Sequence, residues 1–192
     1  MGNARSVAMN PNVAAIVTKT APSMPTPSMV ETGIFAAGCF WGIQLTYQRV
    51  PGVLETEVGY TDGHKRNPTY NQVCSGTTGH TEAVRVKFDP RVVTYRELLT
   101  VLWDRIDPTT LNRQGNDVGT QYRSGIYYTT PEQKEIALQS LEEVQSKHTR
   151  SVVTEIKEAT EFFRAEDYHQ KYLEKGGQCA LKGDTTTIKC YG

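Results

Sequence analysis

The sequence predicts an α+β fold, a two-layer sandwich in which one sheet carries helices on one face. Two observations predict it. Segments with strand alternation and segments with helical spacing are mixed along the chain, without long regular alternation of the two. The 192 residues are 38% hydrophobic and 22% charged, which suits one globular domain with an adequate core.

Taken in order, Gly33-Ile34-Phe35-Ala36-Ala37 reads as a short buried strand, too brief for a helix. Phe40, Ile43, Tyr47 and Val50 then fall at three- and four-residue steps, and Pro51-Gly52 closes that helix. Val53 to Tyr60 alternates as a strand and ends in a Thr61-Asp62-Gly63 turn. A loop-rich stretch runs from Asn67 through Gly76 to Gly79, of a length that is often functional. After His80-Thr81-Glu82 comes a strand in which Val84, Val86 and Phe88 alternate with Arg85 and Lys87. Tyr95, Leu98, Leu99, Leu102, Trp103 and Ile106 define an amphipathic helix, with Trp103 as a core residue. A polar loop occupies Leu111 to Tyr122, and Gly125 to Tyr128 reads as a strand. Pro131 to His148 is a helix with proline near its start. Val152 to Lys157 is a strand, and Ala165 to Lys175 a final helix ended by Gly176-Gly177. Residues 178–192 read as irregular and flexible.

Lys plus Arg and Asp plus Glu both number 21, so the net charge is zero and nothing points to nucleic acid or an acidic membrane surface. No uninterrupted apolar stretch is long enough to span a bilayer. The cysteines are Cys39, Cys74, Cys179 and Cys190; without Cys-x-x-Cys pairs, and with His64, His80, His148 and His169 scattered, zinc-site spacing is absent. The four thiols suit a reducing compartment, with any disulfide transient.

Residues 1–32 form a region apart, with Pro11, Pro22, Pro25 and Pro27 and no acidic residue before Glu31. A disordered leader is the favoured reading. Met1-Gly2-Asn3-Ala4-Arg5-Ser6 also fits the N-myristoylation pattern, and membrane association is expected only if Gly2 is so modified. The scarcity of acid gives a thin organelle-targeting alternative to a cytoplasmic location.

The chemistry centres on Gly38-Cys39-Phe40-Trp41-Gly42. Cys39 stands where the strand passes into the helix. Unpaired amides and the dipole of a first helical turn favour an anion there, and the thiolate is the nucleophilic form of cysteine. Phe40 and Trp41 supply apolar walls, and two flanking glycines permit a tight turn. The plain alternative is a buried structural cysteine.

This pentapeptide resembles the active-site signature of the A-type peptide methionine sulfoxide reductases. Four further segments resemble the same family in the same order: Asn67-Pro68-Thr69-Tyr70; Cys74-Ser75-Gly76-Thr77-Thr78-Gly79-His80-Thr81-Glu82; Arg113 to Asp117 with Gln121 to Ser124; and Ala165-Glu166-Asp167-Tyr168-His169-Gln170. The resemblance implies a ferredoxin-like core, a catalytic domain over 33–175, and a tail at 176–192 that carries a resolving cysteine. It implies reduction of the S epimer of methionine sulfoxide, free or within proteins, in repair of oxidised proteins.

The roles it implies fall on named positions. Cys39 attacks the sulfoxide sulfur and becomes a sulfenic acid. Glu82 supplies a proton to the oxygen, as a carboxyl near aromatic rings would hold one at neutral pH. Tyr70 and Tyr122 donate hydrogen bonds to that oxygen. Phe40 and Trp41 hold the substrate methyl, Asp117 meets the substrate backbone, and His169 lies near the rim. Cys190 is the resolving thiol, with Cys179 a second recycling thiol or a bystander. The family pattern has a Lys-Gly-Cys in the tail, where this chain has Lys182-Gly183-Asp184. Thioredoxin is the implied reductant, no metal or organic cofactor is called for, and the chain is expected to act as a monomer.

Two rival classes share some of these residues. A thiol peroxidase or general disulfide oxidoreductase would use Cys39, but has no need of Phe40, Trp41 and Glu82 together. A non-catalytic module for oxidised methionine would not need the thiol. Turnover of sulfoxides against hydrogen peroxide separates the first rival; loss of activity in Cys39→Ser separates the second.

Overall fold

The computed structural model describes Thr26 and residues 29–189. In chain order the elements are β1 (Glu31–Ala37), α1 (Phe40–Gln48), β2 (Val53–Thr61), α2 (Tyr70–Cys74), β3 (Thr81–Phe88), α3 (Tyr95–Arg105), β4 (Arg113–Gln114), β5 (Asp117–Val118), β6 (Ser124–Tyr128), α4 (Pro131–Gln145), β7 (Glu155–Glu158), β8 (Phe163–Arg164) and α5 (Tyr172–Lys175). The main sheet has the order β7-β6-β1-β3-β2-β8. β3 pairs antiparallel with both β1 and β2, and β1 pairs antiparallel with β6. The path β1-α1-β2-β3-α3-β6 is therefore a βαββαβ unit of ferredoxin-like order, as the resemblance implied. β7 extends it in parallel at one edge, and β8 antiparallel at the other.

Strand alternation decides which side chains meet the helices. Phe35, Val58, Tyr60, Val84, Val86, Phe88 and Ile126 share one core with Phe40, Ile43 and Tyr47 of α1, Leu98, Leu99 and Leu102 of α3, and Ala137 of α4. The opposite parity, Ile34, Ala36, Ala83 and Tyr127, packs under Ala159 and Phe162. Helices thus cover one face, and an extended segment covers part of the other. Trp103 is half-buried against the core and donates its indole N–H to Ser140 Oγ at 2.6 Å. Among the described residues no helix is long and apolar enough to cross a membrane.

Several boundaries differ from the expectations. The loop after Asn67 contains α2, capped by Thr69 and Gln72. The polar loop after Leu111 contains the β4–β5 ladder and a 3₁₀ turn at Thr120–Tyr122. α4 stops at Gln145, and β7 begins at Glu155 rather than Val152.

The largest correction concerns Ala165 to Lys175. Only Tyr172–Lys175 is helical, because Lys171 has left-handed backbone (φ 54°) and the turn before it is tied to the sheet. Gln170 accepts from Val58 N–H at 3.0 Å and donates to Val58 carbonyl at 2.8 Å, while Lys171 N–H reaches Gln44 Oε1 at 2.7 Å. Tertiary hydrogen bonds override the local helical pattern here.

The tail is irregular, yet residues 178–189 are held in place. Arg49, at the end of α1, donates to the carbonyls of Cys179 and Thr186 and pairs with Asp184, and its own carbonyl accepts from Gly183 N–H. Cys190 and most of the leader, with the lipidation pattern, lie outside the described residues; of the region 1–32 only Thr26 and residues 29–32 are described, and Glu31 and Thr32 already belong to β1.

Candidate active site

β1 delivers the chain to Gly38, whose φ is 77° and whose missing Cβ leaves room for Gln114, 2.7 Å from where that atom would stand. Cys39 follows as the N-cap residue of α1 and is partly exposed. The first amide of the helix, Phe40 N–H, is an orphan donor by the geometry of any helix start. It donates to Glu82 Oε2 at 3.0 Å.

Glu82 lies in β3 with the parity of Val84, Val86 and Phe88, and opposite Tyr60 in β2. It therefore points to the helix side of the sheet and is 1% exposed. Burial pushes its carboxyl up to about 8; the Phe40 amide opposes this and the negative charge of Asp117 adds to it. A proton on this carboxyl near neutral pH is the result.

Tyr70 opens α2, and Tyr122 ends the 3₁₀ turn. Both phenols are pushed up, so they remain donors at neutral pH. Burial is the main cause for each. For Tyr70 the next are a hydrogen bond with the Cys74 thiol and that group's charge, followed by the charge of Glu82. For Tyr122 the further causes are Glu82, Cys74, Asp117 and Cys39. Cys39, Glu82, Tyr70, Tyr122 and Asp117 thus share one electrostatic neighbourhood. Asp117 sits in β5, half-buried. Cys74 is partly buried at the edge of this group, and burial pushes its thiol up despite the Tyr70 bond.

Phe40 is buried against Tyr60, and Trp41 is half-exposed. His169 does not lie at the rim as expected: it is 1% exposed. Its Nδ1 accepts the Trp41 indole N–H at 3.1 Å, and its ring packs on Phe40, Tyr70 and Tyr168. The accepting Nδ1 places the proton on Nε2, which is buried without a partner. Burial holds the imidazole below its usual range, with Glu166 opposing. His169 therefore supports the aromatic wall from beneath. Tyr172 stacks on Trp41 at 3.9 Å between centroids.

Cys179 is not among these groups. Its carbonyl is fixed by Arg49 at 2.9 Å, and its thiol bonds Asp184, which Thr186 and Cys179 hold at about 2. Sequence reasoning passed over Glu166, Tyr172 and Arg49. Glu166 and Tyr172 lie in and just after the Ala165–Gln170 segment, so spacing from His169 was the available signal; for Arg49 there was none.

The family model described as peptide methionine sulfoxide reductase matches residues 31–189. Among curated relatives, peptide methionine sulfoxide reductase A2-1 of Oryza sativa subsp. japonica is 60% identical over 163 residues, covering 85% of this chain and 87% of its own. Peptide methionine sulfoxide reductase A4, chloroplastic, of Arabidopsis thaliana is 54% identical over 188 residues, covering 95% and 72%. Among solved structures, Mxr1 of Saccharomyces cerevisiae in reduced form is 34% identical, with a TM-score of 0.75 over 80% of this chain and 90% of that one.

Proposed function

The chain belongs to the peptide methionine sulfoxide reductase family, and from that premise we propose that it reduces the S epimer of methionine sulfoxide, free or in proteins, with Cys39 as nucleophile and Glu82 as proton donor. The contact that carries this reading is the bond from Phe40 N–H to Glu82 Oε2, which holds a buried carboxyl beside the residue that follows the thiol. The family activity is repair of oxidised methionine, and this chain is an oxidoreductase of that kind.

A sulfoxide is polar at oxygen and apolar at its methyl group. Phe40 and Trp41 receive the methyl. Tyr70 and Tyr122, both protonated at neutral pH, donate to the oxygen, and Glu82 passes it a proton. The Cys39 thiolate attacks the sulfur, forming an S–S bond to a substrate sulfur whose oxygen is now a hydroxyl. That hydroxyl then passes to the Cys39 sulfur as the substrate S–O bond and the S–S bond break, so the thioether is released and Cys39 is left as sulfenic acid, the substrate sulfur being reduced as the enzyme sulfur is oxidised. Asp117 meets the substrate backbone, and its charge also raises the Glu82 carboxyl.

The sulfenic acid condenses with the Cys190 thiol, forming a disulfide and releasing water. A thioredoxin dithiol then reduces that disulfide, with Cys179 as an optional relay. Domain limits of 33–175 for the catalytic part and 176–192 for the tail follow from this division of labour. The reaction needs one chain, and we assign a monomer in the cytoplasm; import into an organelle is the alternative that a chloroplastic relative supports.

The test is turnover of separated S and R epimers with a thioredoxin system. Consumption of the S epimer alone, abolished by Cys39→Ser, is the expected result. Equal consumption of both epimers, or full activity in Cys39→Ser, would sink the assignment.

A further inference from the structure

We propose that Glu166 is a positioning residue for Tyr70, setting the phenol toward the substrate oxygen through the backbone of the helix that bears it. The inference rests on the reading of Tyr70 as a donor to that oxygen.

α2 is weak by itself. It has five residues and lies between two long loops. So short a helix does not hold itself together. Its own caps reach only some of the free amides: Gln72 accepts from Thr69 N–H at 3.1 Å. The N–H of Tyr70, at the first helical position, has no acceptor within the helix. Glu166 supplies one, with Oε1 at 2.9 Å.

The second oxygen fixes the carboxylate. Glu166 Oε2 accepts from the Tyr60 hydroxyl at 2.8 Å, and Tyr60 is fully buried in β2. One carboxylate therefore joins this short helix of the site to the sheet. Burial works against its charge, but the donors from Tyr70, its own backbone and Tyr60 outweigh it and hold the carboxyl below the usual range. An ionised acceptor at a helix start makes the stronger bond and suits the dipole.

Glu166 is itself well anchored. Ala165 N–H donates to Val58 carbonyl at 3.0 Å, and Gln170 donates to the same carbonyl and accepts from Val58 N–H. The same turn presents His169, whose ring lies 4.4 Å from that of Tyr70. Backbone and ring of Tyr70 are thus held from one turn that the sheet immobilises.

The experiment is a double-mutant cycle on sulfoxide turnover. Glu166→Gln keeps the side-chain size but cannot accept both bonds. We expect its kcat to fall about tenfold with KM changed less than about twofold, since a misplaced donor costs transition-state binding rather than substrate binding. On the Tyr70→Phe background the same substitution should change kcat by less than about twofold. A loss of equal size on both backgrounds overturns the inference, because Glu166 would then act elsewhere. An unchanged kcat in Tyr70→Phe alone marks the separate failure of the donor reading, and the inference falls with it. If Glu166→Gln does not fold, Tyr60→Phe removes only the second anchor. It should show a smaller loss that likewise vanishes with Tyr70→Phe; persistence of that loss overturns the inference.

Discussion

Phe40 N–H and Glu82 Oε2 are 3.0 Å apart across 42 residues of sequence. This bond joins the start of α1 to the middle sheet strand and sets a buried carboxyl beside Cys39. The first helical amide normally bonds water. Here it bonds an acid that burial keeps protonated near neutral pH, so one contact orients the proton donor relative to the nucleophile.

The rate of sulfoxide reduction is therefore expected to fall as pH rises through about 8, the range in which Glu82 loses its proton. Glu82→Gln should lower kcat by on the order of a hundredfold and abolish that descending limb. Rate–pH profiles of both proteins in single turnover check this. A variant that keeps the limb assigns it to another group.

Stability should show the same carboxyl with a definite sign. The folded-state value lies above the unfolded one, so the folded protein holds more protons between them. Stability then falls as pH rises from the unfolded carboxyl value to about 8, and the loss is complete above it. Glu82→Gln carries no such loss. Relative to wild type, its stability should rise with pH over that window by on the order of a few kcal/mol. Urea denaturation at pH values spanning the window measures it; parallel curves would deny Glu82 its raised value.

Trp41 is held by His169, which accepts its indole N–H, and by Tyr172, which stacks on it. His169→Ala removes the acceptor and leaves a hole beneath the wall. We expect KM for methionine sulfoxide to rise severalfold with a lesser change in kcat, and a loss of about 2–3 kcal/mol in stability from the cavity. Steady-state kinetics with a thermal melt check both. A large fall in kcat at unchanged KM would instead give the imidazole a chemical role.

The sequence made α1 legible because Phe40, Ile43 and Tyr47 face one core at helical spacing. Glu82 was legible too, since period-two counting from Val84, Val86 and Phe88 already puts it on the buried face. The turn of Ala165 to Lys171 was not. Its residues have helical character, but Glu166, His169 and Gln170 bond to α2, α1 and β2, and no local pattern encodes partners so distant. β8 escaped for a simpler reason: two residues hold no periodicity.

Arg49 fixes the carbonyl of Cys179 at the end of α1 opposite to Cys39. The rise of a helix puts the two ends on the order of 15 Å apart, well beyond the span of a disulfide. Lys189, just before Cys190, is bonded to Gln178 through both its N–H and its carbonyl, at 3.0 and 2.6 Å. Cys179 therefore reaches Cys39 only after the Arg49 contacts break, and the same contacts hold the segment that leads to the resolving thiol. With one equivalent of methionine sulfoxide and no reductant, peptide mapping should find Cys39 joined to Cys190. Arg49→Ala should speed loss of the second thiol by about tenfold while the release of methionine is unchanged, because several bonds of modest net strength no longer oppose the movement. Unaltered disulfide kinetics in Arg49→Ala would mean that the tail is free without that release, and a dominant Cys39–Cys179 bond would transfer the resolving role to Cys179.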